Sequence, residues 1–184
     1  MHYNKRFKQR HIEENFEKQT VKLSPDKDPR IKYMVKCSEN LDRVLPILDK
    51  VYMKTICLQN YLLSEGHCRG LADACENLDH KVVNRMLFNN CSITGDLMAT
   101  ILEGIVKLKD FKALTYKQNA LNALSIEKME PLFKRGVPNH LQELQLIDVK
   151  MSPTTIELMM DSIMEHARIR KFALVNAQHT DISF

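Results

Sequence analysis

Apolar side chains recur along this chain at a nearly fixed spacing. The clearest copy is Phe111-x-x-Leu114-x-Tyr116-x-x-Asn119-x-Leu121, and the same spacing starts again at positions 83 and 141. Weaker copies start at positions 53 and 169, so the steps between leading residues alternate between 30 and 28. A constant period of this length is typical of stacked supersecondary units, and the pattern therefore predicts a repeat architecture.

Each copy combines the periodicity of a strand with that of a helix. Leu144 and Leu146 point to one face of a strand, while Gln145 between them points to the other. Apolar residues or cysteines then follow 15, 18 and 22 positions after the leading residues at 53, 83, 111 and 141, which places them on one helical face. The first of these helix positions are Cys68, Met98, Ile126 and Ile156, and Phe184 lies at the same offset from position 169. Helix starts are predicted at Thr94-Gly95-Asp96 and Ser152-Pro153.

The strand pattern resembles the leucine-rich repeat, L-x-x-L-x-L-x-x-N/C-x-L, with Cys91 and Asn119 at its Asn/Cys position. Tyr61, Val149 and Ala177 depart from the family at that position, which predicts loops less regular than the family average. Units of 28 and 30 residues with a full helix resemble the ribonuclease-inhibitor-like subfamily. The resemblance covers about residues 51–184. It implies an α/β right-handed solenoid of about five repeats, a horseshoe arc with short parallel strands on the concave face and helices on the convex face.

The first fifty residues lie outside the repeat. Residues 1–24 are predicted to be a flexible basic arm, because residues 1–36 carry ten Lys and Arg against five Asp and Glu. Residues 25–50 are predicted to form a helical capping element that starts at Asp28-Pro29 and covers the edge of the first repeat. Its apolar helical stripes are Ile31, Met34 and Val35, followed by Leu41, Val44, Leu45 and Leu48, with a break expected at Pro46.

Strand residues between the core positions are predicted to form three columns on the concave face. The first column contains Thr55, Arg85, Ala113, Glu143 and Lys171, the middle column Cys57, Leu87, Thr115, Gln145 and Ala173, and the last column Gln59, Asn89, Lys117, Ile147 and Val175. Leu87, Ile147 and Val175 are interpreted as an apolar centre among charged residues, as in many protein interfaces. We therefore predict a protein partner on this face. The alternative is that these are isolated exposed apolar residues, which are common on any surface.

The C-terminal repeat is incomplete. Ile169, Phe172 and Leu174 complete a fifth strand, and Phe184 falls on the first core position of a fifth repeat helix. One hypothesis is that the chain belongs to a longer array, or that another chain covers this edge by contacting Phe172, Leu174 and Phe184. The other is that residues 177–184 fold back, with Ile182 and Phe184 acting as a small cap.

Composition favours an intracellular protein. The 184 residues are 44% hydrophobic and 27% charged. No apolar run approaches the ~20 residues that span a bilayer. The N-terminus lacks the apolar core of a secretory signal. The five cysteines are odd in number and form no close pairs, so reduced thiols and a cytoplasmic, cytoskeletal or ciliary location are predicted. The basic arm has few aromatic residues, and we do not expect it to bind nucleic acid.

No reaction is predicted from residue chemistry. His67 and Cys68 are adjacent, but neighbouring helix residues point about 100° apart and Cys68 occupies a core position. The seven histidines show no metal-ligand spacing, so neither a metal nor a cofactor is expected. Gly66-x-x-x-Gly70 is interpreted as a place where a helix start packs closely on its neighbour.

The leading hypothesis is a non-catalytic protein-interaction scaffold or adaptor. A second hypothesis is a regulator of a small GTPase, because the resemblance includes GTPase-activating proteins that act through a loop-borne arginine or asparagine. Arg85 and Asn90 are the candidates for that role. A third hypothesis is a structural subunit of a cytoskeletal or ciliary assembly. Fold alone does not choose among these functions.

Overall fold

The structure of the chain is a computed structural model that describes residues 28–48, 55–76, 78, 83–108, 110–134, 141–166 and 169–179. Within these residues, five helices alternate with the strands of a parallel sheet. The helices are α1 (Pro29–Glu39), α2 (Glu65–Cys75), α3 (Gly95–Ile105), α4 (Ala123–Phe133) and α5 (Pro153–His166). The strands are β1 (Thr55–Gln59), β2 (Arg85–Asn89), β3 (Ala113–Lys117), β4 (Glu143–Ile147), β5 (Lys150–Met151), β6 (Lys171–Val175) and β7 (Gln178–His179). None of the described helices is long and apolar enough to cross a membrane.

The main sheet contains five parallel strands in the order β1-β2-β3-β4-β6. Residues at equivalent positions of the predicted repeat lie opposite one another on neighbouring strands. One such series is Ile56, Met86, Leu114, Leu144 and Phe172. β5 and β7 form a second, short parallel pair. The predicted α/β class and the alternation of strand and helix are therefore confirmed. The arrangement is consistent with a solenoid-like stack of units.

The core is built from alternate strand residues and one face of each helix. Leu58, Phe88 and Tyr116 are almost completely buried, as are the predicted helix positions Cys68 and Met98. The rings of Phe88 and Tyr116 meet edge to face, with centroids 6.2 Å apart. The Tyr116 hydroxyl donates to the carbonyl of Ala120 at 3.0 Å, so its polar end is satisfied inside the core.

Helix starts follow the predicted caps. Thr94 accepts a hydrogen bond from the N–H of Leu97 at the start of α3. Ser152 accepts from the N–H of Thr155 at 3.2 Å at the start of α5. Such contacts satisfy N–H groups that have no partner within the helix, which is why Ser and Thr are favoured there. Both predicted starts are confirmed.

The first helix begins where it was predicted but buries a different face. Asp28 caps α1 by accepting from the N–H of Arg30 at 2.8 Å. The buried residues of α1 are Pro29, Tyr33 and Cys37. The predicted stripe of Ile31, Met34 and Val35 is wrong, since Ile31 and Met34 are only partly buried and Val35 is exposed. The reason is the contact with α2, where a Cβ added to Gly70 would lie 2.8 Å from Tyr33 Cδ2.

The predicted second helix of the capping element is also wrong, because residues 41–48 form no helix. Leu41 has a φ of 56° and is 96% exposed. Polar contacts with the start of α2 hold this segment instead. Ser64 Oγ donates to Asp42 at 2.6 Å, and His67 Nε2 donates to the carbonyl of Arg43 at 2.7 Å. The predicted arm at 1–24 and residues 49–50 lie outside the described residues.

Close packing at Gly66-x-x-x-Gly70 is confirmed. A Cβ on Gly66 would overlap the carboxylate of Asp42, and a Cβ on Gly70 would meet Tyr33. These two glycines therefore let α1 and the segment at 41–48 approach α2.

The loops that follow the strands of the main sheet share one backbone feature. The residue directly after each strand of the main sheet has a positive φ, and the five are Asn60, Asn90, Gln118, Asp148 and Asn176. The N–H of each of the first four donates to the carbonyl of the last residue of the next strand, at 2.9–3.0 Å. Asn and Asp tolerate this left-handed conformation better than most residues. A polar residue with positive φ therefore recurs directly after each strand of the main sheet, one residue earlier than the family's Asn/Cys position.

Candidate functional site

The face of the sheet opposite the buried side chains carries the three predicted columns, and we call it the open face. Its side chains are exposed or half-buried, with one exception in the first column. Strand register places equivalent column residues side by side on neighbouring strands. The structure therefore brings the predicted columns together on one surface, while their role in binding stays a prediction.

A salt bridge crosses the first column. Arg85 on β2 donates to both carboxylate oxygens of Glu143 on β4, at 3.0 and 3.2 Å. These strands flank β3, so the two Cα atoms are roughly 10 Å apart. The bridge spans that gap because Ala113 lies between them with only a methyl group. Ala113 is 5% exposed, and its predicted place at the surface is therefore wrong.

The electrostatics of the open face follow from this bridge. Hydrogen bonds from Arg85, with a smaller contribution from the charge of Lys171, hold the pKa of Glu143 below its ordinary value. Glu143 and Arg85 neutralise each other, and the ammonium groups of Lys117 and Lys171 remain. The three columns thus hold three basic residues and one acidic residue, a net charge of +2.

The apolar residues of the open face form two separate pairs. Leu87 lies beside Cys57 in the middle column, and Ile147 lies beside Val175 in the last column. β3 separates the two pairs and presents Thr115 and Lys117 between them. The interpretation of Leu87, Ile147 and Val175 as one apolar centre is therefore wrong. The surface instead carries two small apolar pairs, one on each side of the polar residues of β3.

Arg85 and Asn90, the two candidates for a GTPase-directed role, do not share a site. Arg85 begins β2 and Asn90 follows its end, a separation of about 17 Å along a strand. The guanidinium of Arg85 is engaged by Glu143. The side chain of Asn90 donates to Oδ1 of Asn60 at 2.9 Å.

Side-chain contacts along the loops were not found from the sequence. Besides the pair of Asn90 and Asn60, Asn176 Nδ2 donates to Asp148 Oδ1 at 3.1 Å. The signal was present, because positions 60, 90, 118, 148 and 176 repeat with the same steps of 30 and 28. These polar side chains border the last column of the open face.

Asn119 carries out the loop function that its position in the repeat predicts. Its Oδ1 accepts from the N–H groups of Cys91 at 2.9 Å and Ile93 at 3.2 Å. Its Nδ2 donates to the carbonyls of Lys117 at 2.7 Å and Phe88 at 3.5 Å. One buried amide thus satisfies backbone groups from two neighbouring units.

His67 and Cys68 do not form a reactive pair. Nδ1 of His67 accepts from the N–H of Ser64 at 3.0 Å, which completes a capping box at the start of α2. Its other ring nitrogen is bound to the carbonyl of Arg43. Cys68 is completely buried, and burial raises the pKa of its thiol to about 12. In the part of the chain that the structure describes, no group of three or more His, Cys, Asp and Glu side chains is placed to hold a metal ion.

One thiol out of five is expected to react quickly with a maleimide in the native protein. Cys57 is exposed on the open face, whereas Cys37, Cys68, Cys75 and Cys91 are buried. Burial also raises the pKa of Cys75 to about 12, so little nucleophilic thiolate forms there. Mass spectrometry after a short pulse should show one adduct, and five after unfolding in urea. The variant Cys57→Ser should lose the fast adduct, and rapid native labelling of Cys68 or Cys75 would contradict this assignment.

The edge of the sheet at β6 holds two of the predicted edge residues. Phe172 and Leu174 lie on the core side of β6 but are only partly buried. Phe184, the third residue predicted for this contact, lies outside the described residues.

No family model matches this chain, and no match was found among curated proteins.

Proposed function

We propose that this chain is a leucine-rich-repeat protein of the ribonuclease-inhibitor-like type that recognises a protein partner through the open face and catalyses no reaction. The observation that carries the proposal is the open face itself. Five strands present three columns of side chains that no helix of the described chain covers. Two apolar pairs and the charged groups of Lys117, Lys171, Arg85 and Glu143 share that surface.

The open face is smaller than a typical protein interface. Five strands of five residues cover about 24 Å by about 17 Å, or roughly 400 Å². A stable protein interface buries about 800 Å² on each partner. A partner that binds the columns is therefore expected to reach beyond them as well. The polar side chains of Asn60, Asn90 and Asn176, which border the last column, are placed for such contacts.

The chemistry of the remaining polar groups supports recognition without catalysis. Arg85 and Glu143 satisfy each other, and both ring nitrogens of His67 have structural partners. The thiols of Cys68 and Cys75 are buried, with raised pKa values. Free thiols also support the proposed cytoplasmic location, since disulfides are rare in reducing compartments.

A triple substitution on the open face tests the proposal. The variant carrying Leu87→Ala, Lys117→Glu and Ile147→Ala removes one member of each apolar pair and reverses the charge between them. A matched control on the helical surface carries Leu124→Ala, Lys134→Glu and Met164→Ala, which are all exposed. Partners recovered from cell extract by the wild type should be retained by the control. They should fall at least about tenfold with the open-face variant, as expected where a few residues dominate binding.

The comparison has a clear contrary outcome. Equal recovery of the same proteins by the wild type, the control and the open-face variant would show that the partner binds elsewhere. Circular dichroism and urea unfolding of all three proteins establish that the substitutions changed the surface and left the fold intact.

A further inference from the structure

Core positions of the last unit are less buried than the same positions in earlier units. Leu144 and Leu146 on β4 are completely buried, whereas the equivalent Phe172 and Leu174 on β6 are only partly buried. The helix shows the same trend. Met98, Ile101 and Ile105 of α3 are completely buried, whereas Ile156 and Ile163 of α5, at the first and last of these positions, are only partly buried. Each earlier unit is covered by the next one, and β6 has no such neighbour among the described residues.

The backbone of β6 shows which groups point to its free edge. The N–H of Lys171 donates to the carbonyl of Gln142, and the carbonyl of Val175 accepts from the N–H of Asp148. Lys171 and Val175 therefore direct their backbone groups toward β4. Because this direction alternates along a strand, Phe172 and Leu174 direct their N–H and C=O groups to the free edge. An edge of this kind is a template for another strand.

We propose that β6 pairs in an antiparallel sense with β6 of a second copy of this chain, around a two-fold axis at Ala173. In this register Phe172 lies opposite Leu174 of the second copy, and the reverse contact follows by symmetry. All four residues have outward backbone groups, so each pair exchanges two hydrogen bonds. The joined sheet contains five strands from each copy.

Other registers satisfy fewer backbone groups. A shift by one residue places outward groups opposite inward ones. A shift by two residues in one direction places Phe172 opposite itself and moves Leu174 opposite Arg170, which precedes β6. A shift by two residues in the other direction places Leu174 opposite itself and moves Phe172 opposite Asn176, which follows β6. Pairing around Ala173 is the register that uses both outward residues within the strand.

Side chains also match in this register. Phe172 and Leu174 cover each other across the two copies on the core side, where each is now only partly buried. On the open face, Lys171 lies opposite Val175 of the second copy, so the two Lys171 side chains are about 14 Å apart and do not repel at close range. Arg170 lies opposite Asn176. A two-fold contact that is complementary to itself is the commonest form of protein oligomer.

Sedimentation velocity from low to high micromolar concentration tests the assembly. The wild-type chain is expected to shift from monomer to dimer. Ala173→Arg places two arginines face to face at the two-fold axis and should weaken the dimer by up to about fivefold, since like charges directly opposite are unfavourable. The matched control Thr115→Arg adds the same charge to the middle column on central strand β3 and should leave the dimer unchanged.

Cross-linking tests the register and does not depend on how well the arginine variant folds. Residues opposite each other in a pair that shares no hydrogen bonds have Cα atoms about 4.5 Å apart, within the range of a disulfide. In a Cys57→Ser background, Ala173→Cys should therefore form a covalent dimer on mild oxidation. The control Lys171→Cys should not, because its two copies are about 14 Å apart.

Each other occupant of the edge gives a different result. A wild-type chain that stays monomeric at high micromolar concentration overturns the proposal and indicates that the chain covers its own edge. A dimer that survives Ala173→Arg, or that cross-links as well through Lys171→Cys, overturns the antiparallel register. None of these measurements involves the partner of the open face, so they test the dimer independently of the proposed function.

Discussion

Replacing Asn119 by alanine is expected to destabilise the protein by about 2–6 kcal/mol, because two buried N–H groups lose their acceptor and each unsatisfied group costs about 1–3 kcal/mol. The donors are the backbone amides of Cys91 and Ile93, and both rely on Oδ1 of Asn119. The carbonyls of Lys117 and Phe88 lose a donor as well. A loss of this size is a large part of the total stability of a typical domain. Urea unfolding followed by circular dichroism measures it.

Asn89→Ala is the matched control for this prediction. Asn89 ends β2 on the open face, and its side chain is only partly buried. Its replacement should change the unfolding free energy by less than about 0.5 kcal/mol, as is usual for surface positions. An unfolding midpoint for Asn119→Ala equal to that of Asn89→Ala would show that the loop does not depend on the buried amide.

Replacing Gly104 by alanine is expected to destabilise the protein, although alanine is the better helix former by about 1 kcal/mol. A Cβ on Gly104 in α3 would overlap the backbone of Ala72 in α2. Backbone atoms cannot move aside as a flexible side chain can, so α2 and α3 must separate. Overpacking of this kind costs about 1–3 kcal/mol. The sign of the change in the unfolding free energy therefore reports whether the two helices are in such close contact.

Thr100→Ala gives the reference for helix propensity in the same helix. Thr100 is only partly buried on α3, and alanine there should leave stability unchanged or raise it slightly. If Gly104→Ala also raised the unfolding free energy, the close approach of α2 and α3 at Ala72 would be contradicted.

The period in the sequence predicted most of the fold because burial in a repeat is decided locally. Alternation at Leu144 and Leu146 identifies a strand, and spacings of three and four identify the buried face of a helix. The caps at Thr94 and Ser152 depend on hydrogen bonds within a few residues, so they can also be read from sequence.

The open face was predicted less completely. The alternation of strand residues placed the three columns correctly on one surface. Their mutual contacts depend on which residues lie on strands that are close in space but far apart in the sequence. Arg85 and Glu143, which lie two strands apart, are separated by 58 positions in the sequence. For the same reason the burial of Ala113 and the separation of Leu87 from Ile147 were not predicted.

By itself, the sequence determined the alternation of strand and helix and most residues of the repeat core, because both depend on periods and caps within a single unit. Only the tertiary structure decided how the capping element packs and how far the side chains of the last described strand are buried. Tyr33 and Cys37 form the buried face of α1 because Gly70 lets that helix approach α2. Phe172 and Leu174 are only partly buried because no described strand follows β6. The buried face of α1 depends on a neighbour distant in sequence, and no local pattern records it.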